Sequence, residues 1–202
     1  MTARVEKTVV SGVFSLDGQD FDVDNNVWLV GDDDEVLVVD APHDAAPILD
    51  AIGGRRVTAI VLTHGHNDHI TAAVALREAT GAPIWFNPQD RMLWDVVHPD
   101  TAPDEDLVEG TRFTVAGTTL TALHTPGHSP GSTCLHAPDL ATVFTGDTLF
   151  HGGPGATGRS YSDKPTILNS IRSRLMSLHG DTVVRTGHGD DTTISAEIGH
   201  IH

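Results

Sequence analysis

The sequence predicts an α+β fold carried by one continuous domain, residues 1–202. Three patterns point there: an antiparallel opening, helices alternating with strands between Asp44 and Val97, and a meander of four short strands in the second half. A chain of this length can bury most of its apolar surface without disulfide staples, and no repeat, low-complexity tract or Gly/Ser linker divides it.

The opening stretch alternates apolar and polar residues, and Asn26–Val30 and Glu35–Asp40 read as strands joined at the Gly31-Asp32 turn. Asp44 suits an N-cap for a helix through about Ile52, which Gly53 and Gly54 stop. A strand from Val57 to Leu62 runs into a histidine-rich segment. From His69 to about Thr80 the spacing of Ile70, Ala73, Val74, Leu76 and Ala79 predicts a helix, ended at Gly81 to Pro83. A strand at Ile84–Phe86, a helix from Gln89 to Val97 and a polar loop to Gly110 follow. Strands are expected near Thr111–Val115, Thr119–Leu123, Ser132–His136 and Thr142–Thr145. A glycine-rich loop from His151 to Ser162 then precedes a helix over Pro165–Leu178. Asp163 is its candidate cap, and Ile167, Ile171, Leu175 and Leu178 share one face. The strand Thr182–Thr186 comes last.

Composition removes several classes of function. No stretch approaches the roughly 18 apolar residues of a membrane span, and Met1–Lys7 lacks the features of a secretory signal, so a cytoplasmic protein without membrane contact is expected. The formal charge is −16, and two divalent cations would offset only a quarter of it. Such a surface repels phosphate backbones, which excludes nucleic acid as the expected partner. The acidic runs Asp32–Glu35 and Asp104–Asp106 read as solvated turns. The single cysteine, Cys134, excludes an internal disulfide and a Cys-rich zinc cluster, and it reads as a small buried strand residue.

The chemistry gathers at strand ends. His64 and His66 lie two apart in an extended segment, so their imidazoles can point the same way. Asp68 and His69 follow at a helix start, where a carboxylate is favoured. Three more candidates, His128, Asp147 and His188, each follow an apolar strand and stand beside glycine. Five imidazoles, two carboxylates and no thiolate suit zinc, iron or manganese. Seven ligands exceed what one tetrahedral ion can use, which points to two divalent metal ions, zinc foremost. Isolated histidines are mostly ordinary residues, and those at positions 43, 98, 124, 136, 179, 200 and 202 are read so. His151, close after Asp147, is a candidate to line the pocket.

At these residues the chain resembles the metallo-β-lactamase superfamily, and within it the hydroxyacylglutathione hydrolases, the glyoxalase II group. The resemblance spans roughly Asn26 to Ile194 and rests on the His64-x-His66-x-Asp68-His69 motif, Thr125 to Ser132 and Phe144 to Phe150. It implies a four-layer αβ/βα sandwich with the site at one edge of two facing sheets. It also implies that His64, His66 and His128 bind one ion, Asp68, His69 and His188 a second, and that Asp147 bridges them. Two such ions can hold a water and lower its pKa toward about 7, supplying the nucleophile for a small-molecule thioester. Asp68 and Asp147 are the residues expected to act catalytically.

The resemblance weakens after His188, because glyoxalase II enzymes continue into a helical region that helps hold glutathione and only Asp190–His202 remain here. Arg159 and Tyr161 in the glycine-rich loop are candidates to take over substrate binding, Arg159 by pairing with an anion. Ten arginines stand against two lysines, a bias common in the GC-rich genomes of mycothiol-using bacteria, which makes a mycothiol thioester a candidate substrate. Alternatives are a persulfide dioxygenase with one iron on His64, His128 and Asp147, a lactonase or other ester hydrolase, and a non-catalytic metal-binding domain. A monomer or small homo-oligomer is expected.

Overall fold

The computed structural model, which describes residues 2–201, opens with a hairpin of two 13-residue strands, β1 (Arg4–Leu16) and β2 (Gln19–Gly31). Asp17 and Gly18 turn it with φ of 54° and 72°, the left-handed pair whose twist matches that of antiparallel strands. The hairpin is longer than the alternation around Asn26 predicted. β2 pairs antiparallel with β3 (Glu35–Val39), and β4 (Arg56–Val61), β5 (Ile84–Phe86) and β6 (Glu105–Asp106) continue the sheet in parallel. β6 lies where a polar loop was expected. Its backbone is recruited because Asp104 N–H and Leu107 N–H donate to the carbonyls of Ile84 and Phe86.

The second sheet is built from the meander β7 (Arg112–Val115), β8 (Thr118–His124), β9 (Thr133–Ala137) and β10 (Thr142–Gly146). After a short hairpin of β11 (Leu149–Phe150) and β12 (Gly153–Pro154), β13 (Val183–Thr186) lies parallel to β10, and β14 (Thr192–Thr193) closes the edge.

Strand alternation divides the apolar residues among three cores. Val36 and Val38 of β3 face the helices α1 (Ala45–Ile52), α2 (Asn67–Ile70), α3 (Ala73–Thr80) and α4 (Arg91–Val97), packing with Ile48, Ile70, Leu76 and Trp94. Leu37 and Val39 face the other way, into a core shared with Phe113, Leu120, Leu135 and Phe144 of the second sheet. On that sheet's outer face Cys134, Val143 and Val184 pack under α5 (Lys164–Ser170), its π-helical continuation Ile171–Leu175, and α6 (Ile194–Glu197). The order of layers is therefore α, β, β, α, the four-layer sandwich that the resemblance implied. Cys134 is fully buried and burial pushes its thiol up to about 11, so it stays a protonated packing group. No helix among the described residues is long and apolar enough to cross a membrane.

The helix expected from His69 to Thr80 is two helices. The chain leaving β3 inserts between them: Ala41 N–H donates to the carbonyl of His69, and Ala72 N–H donates to the carbonyl of Ala41. Thr71 N–H keeps its helical bond to Asn67, but the Ala41 bonds take the Ala72 N–H and the His69 carbonyl out of the ladder and lock the segment after β3 onto the histidine motif.

Candidate metal centre

All seven predicted ligand residues meet at one edge of the two sheets. β4 delivers Thr63 and His64. His66, with extended backbone (φ −65°, ψ 145°), caps α2, which carries Asp68 and His69. From the second sheet come His128, in the loop between β8 and β9, Asp147, directly after β10, and His188, just beyond β13. Parallel pairing sets the last two side by side, and Gly187 N–H donates to the carbonyl of Gly146 at 2.9 Å. Gly146 adopts φ 47°, and a Cβ there would run into Thr63.

The donor atoms form groups of three within 4.8 Å: His64, His66 and His128; Asp68, His69 and His188; and His64, His69 and Asp147. In the first trio Nδ1 of His66 lies 3.0 Å from Nε2 of His64 and 3.0 Å from Nε2 of His128. In the second, Nε2 of His188 lies 3.2 Å from Nε2 of His69 and 3.3 Å from Oδ2 of Asp68. Asp147 stands between them, with Oδ1 3.3 Å from Nε2 of His69 and Oδ2 3.5 Å from Nε2 of both His128 and His188.

Outer groups orient these rings. Nδ1 of His128 donates to the Ala156 carbonyl at 2.9 Å and Nδ1 of His188 to the Asp24 carbonyl at 2.8 Å. A carbonyl only accepts, so in the neutral ring the proton sits on Nδ1 and Nε2 turns a lone pair to the centre. Nδ1 of His69 meets Oδ2 of Asp40 at 2.9 Å. Asp40 is buried with φ 65°, and it also accepts from Thr63 N–H at 2.7 Å and Thr63 Oγ1 at 2.9 Å. Beneath the first trio, the carboxylate of Asp90 accepts from Gly65 N–H at 2.8 Å, Ser129 Oγ at 2.6 Å and Gly131 N–H at 2.5 Å. It thereby ties the loop bearing His64 and His66 to the loop bearing His128. Burial pushes the Asp90 carboxyl up, against the pull of those hydrogen bonds.

The electrostatics differ between the trios. Burial, reinforced by neighbouring imidazoles, holds His64 well below the usual histidine range and His66 at about 3. Burial would lower His69 and His188 too, but the carboxylates of Asp147 and Asp68 outweigh it, raising His69 well above its ordinary value and His188 to about 10. The same attraction overcomes burial at Asp147 and keeps it well below the carboxylate range.

A metal fits these residues on three counts. Oδ1 of Asp68 and Oδ1 of Asp147 are buried without a hydrogen bond among the described residues, an expensive state for carboxylate oxygens unless a cation is near. The Nε2 atoms of His69 and His188 face each other where two N–H groups would repel. A Cβ on Gly187 would collide with Oδ1 of Asp147, so glycine keeps the cradle open. The donor set and the fold together imply bound divalent metal.

Above the cluster lies a cavity of about 410 Å³, with Phe14, Leu16, Val23 and Phe150 as apolar walls and Arg159, Ser160 and Ser162 at its rim. The hairpin tip forms one wall and is anchored twice. Asn67, between His66 and Asp68, accepts from Ser15 N–H and donates to the Val13 carbonyl, both at 2.8 Å. Ser160 N–H donates to Asp17 at 3.1 Å. Arg159 reaches the cavity as expected, its guanidinium 4.5 Å over the ring of Phe21. The other two substrate-binding candidates do not line this cavity. His151 projects to solvent from the tight turn between β11 and β12, where Phe150 takes the inward place. Tyr161, at φ 69° and 52% exposed, turns toward a separate groove beside Leu93 and Val96.

Comparison with known proteins agrees with this geometry. The family described as the metallo-beta-lactamase superfamily matches residues 21–188. A hydroxyacylglutathione hydrolase, GloC, of Haemophilus influenzae is 33% identical over 189 residues, covering 85% of this chain and 89% of its own. Among solved structures, TTHA1623 in a di-iron-bound form superposes with a TM-score of 0.78 at 31% identity, over 88% of this chain and 94% of that one. ETHE1 from Myxococcus xanthus gives 0.73 at 25% identity, over 95% and 83%.

Proposed function

Because the chain belongs to the metallo-β-lactamase superfamily, we propose that it is a dinuclear metal-dependent hydrolase acting on the thioester of a low-molecular-weight thiol. The observation that carries this reading is the pair of donor trios sharing Asp147 on the floor of an apolar cavity with a cationic rim. Similarity to a hydroxyacylglutathione hydrolase favours a thioester over other esters.

In this reading His64, His66 and His128 would hold one ion and Asp68, His69 and His188 the other, with Asp147 available to both. Two divalent ions, zinc by donor chemistry with iron or manganese also suited, would supply Lewis acidity and an activated water at neutral pH. Asp68 has one oxygen engaged by Asn25 and the other without a partner, which suits it to orient the attacking water and hold its proton. Phe14, Val23 and Phe150 exclude bulk water and pack the apolar part of the substrate, while Arg159 pairs with an anionic group on it.

The test is metal quantification together with a panel of glutathione, mycothiol and coenzyme A thioesters, lactones and phosphoesters, on wild type and Asp147→Ala. Two ions per chain and thioester turnover that the substitution abolishes are expected. Likeness to the ETHE1 structure brings a second reading into the same test, a mononuclear iron dioxygenase of thiol persulfides using His64, His128 and Asp147. One iron per chain with persulfide-dependent oxygen uptake would overturn the hydrolase.

A further inference from the structure

Asn25 makes contacts beyond the one to Asp68 described above. Its side chain is fully buried. Nδ2 lies 3.1 Å from Oδ2 of Asp68, 3.3 Å from Nε2 of His69 and 3.4 Å from Nε2 of His188. One end of the amide thus faces all three donor atoms of the second trio. The other end, Oδ1, sits 2.8 Å from Nε2 of His43. His43 is held in a left-handed conformation, φ 49°, which few non-glycine residues adopt. It also packs on Gly12, where any Cβ would strike its ring. Both the backbone strain and the glycine serve to bring this imidazole to Asn25.

We propose that Asn25 is a further protein group of the second metal position, beside Asp68, His69, His188 and the shared Asp147, and that His43 is the positioning residue that holds its amide. The inference rests on the reading that Asp68, His69 and His188 bind an ion. A carboxamide presents a donor at one end and an acceptor at the other, and a half-turn exchanges them without moving the heavy atoms. Without an ion, Nδ2 donates to Asp68 and His43 donates to Oδ1. A cation among Asp68, His69 and His188 repels the N–H end and attracts the carbonyl end. The half-turn therefore brings Oδ1 to the ion or to a water on it, and Nδ2 to His43. A neutral imidazole serves both arrangements, because Nε2 carries a proton in one tautomer and a lone pair in the other. Asn25 would thereby raise affinity at the second position and leave the first, built from His64, His66 and His128, largely unaffected.

The test is titration of the metal-free full chain with Zn²⁺ against a chromophoric chelator, with Co²⁺ spectra as a second readout. Wild type is expected to bind two ions. Asn25→Leu should weaken the second by about 10–100-fold, the usual cost of losing an outer partner of a metal site, and leave the first within about threefold. Asn25→Asp, which keeps an oxygen in place, should hold the second ion at least as tightly as wild type. His43→Ala should shift the second affinity in the direction of Asn25→Leu, by less, and alter the Co²⁺ absorption of that ion. Wild type binding one ion overturns the dinuclear reading itself. Two ions in wild type with an unchanged second affinity in Asn25→Leu, or a weakened one in Asn25→Asp, overturns only the role of Asn25.

Discussion

Replacing Asp40 with Asn changes one atom type and reverses the hydrogen bonding asked of His69. Asparagine tolerates the left-handed backbone at this position, so the φ of 65° can persist. Its carbonyl can keep the 2.7 Å bond from Thr63 N–H. The NH₂ group then stands where Oδ2 accepted from Nδ1 of His69 at 2.9 Å, and it can only donate. Nδ1 must become the acceptor, which moves the ring proton to Nε2, the nitrogen aimed at Asp147 and His188. Restoring the metal-binding tautomer breaks the new bond from the asparagine NH₂ and leaves the buried Nδ1–H without the charged acceptor that wild type provides, a loss of about 1.5–3 kcal/mol. At about 1.4 kcal/mol per factor of ten, that is roughly 10–100-fold in affinity for the ion held by Asp68, His69 and His188. Calorimetric titration of the metal-free protein should show the second binding event weakened by that factor and the first nearly unchanged. An unchanged second event would refute the assignment of Asp40 as the group that sets the His69 tautomer. Equal weakening of both, with a collapsed melting temperature, would reduce Asp40 to a structural role.

The metal-free chain should hold His188 charged from its ordinary value near 6.5 up to about 10, with His69 charged alongside it, whereas His64 and His66 stay neutral above pH 6.5. Filling the second position therefore expels up to two more protons than His64 and His66 release at the first, and its affinity rises with pH across that window. Titrations in buffers of different ionisation enthalpy measure this, and equal proton release at both positions would contradict it. Gly187→Ala drives a methyl into Asp147 Oδ1, so fewer than two ions per chain are expected by elemental analysis, and full occupancy would show that the cradle can yield. Asp90→Ala strands three buried donors. At about 1–3 kcal/mol each the loss should be at least about 3 kcal/mol, a fall in Tm of roughly 6–12 °C; a fall under about 3 °C would mean the clamp relaxes onto other acceptors. Arg159→Ala should raise KM for an anionic thioester about tenfold with kcat little changed, and an unchanged KM would remove Arg159 from the site.

The candidate ligands were legible because His64, His66, His128, Asp147 and His188 each stand beside glycine near a strand end, and Asp68 and His69 follow the first two within five residues. Their supports were not. Asp40 stands 24 residues before His64 and resembles any polar residue closing a strand. Its role emerges only when β3 and β4 pair in parallel and their carboxyl ends come together. A signal was available in the apolar strand running into Asp40, next in order to the one running into His64. His43 and Asn25 meet through the long opening hairpin, whose Asp17-Gly18 turn is a strong sequence signal hidden by the acidic residues Asp20, Asp22 and Asp24 around it. Helix spacing could not foresee the break at Thr71, because the competing partner is the distant backbone of Ala41. The direction of side chains within the glycine-rich loop, inward for Arg159 and outward for His151 and Tyr161, follows from turns that composition does not specify.

The pairing of Asn67 with the hairpin also bears on the open edge of the first sheet. β1 is the outermost strand of its sheet, and such a strand offers alternate backbone groups to any passing chain as a template for aggregation. By occupying Val13 C=O and Ser15 N–H, the Asn67 amide imitates one rung of a neighbouring strand and closes the edge where it approaches the cavity mouth. Val9 and Val13 lie exposed along that same strand, so an open edge there would be adhesive. One residue set between two candidate ligands thus caps part of the open edge of the strand that walls their cavity.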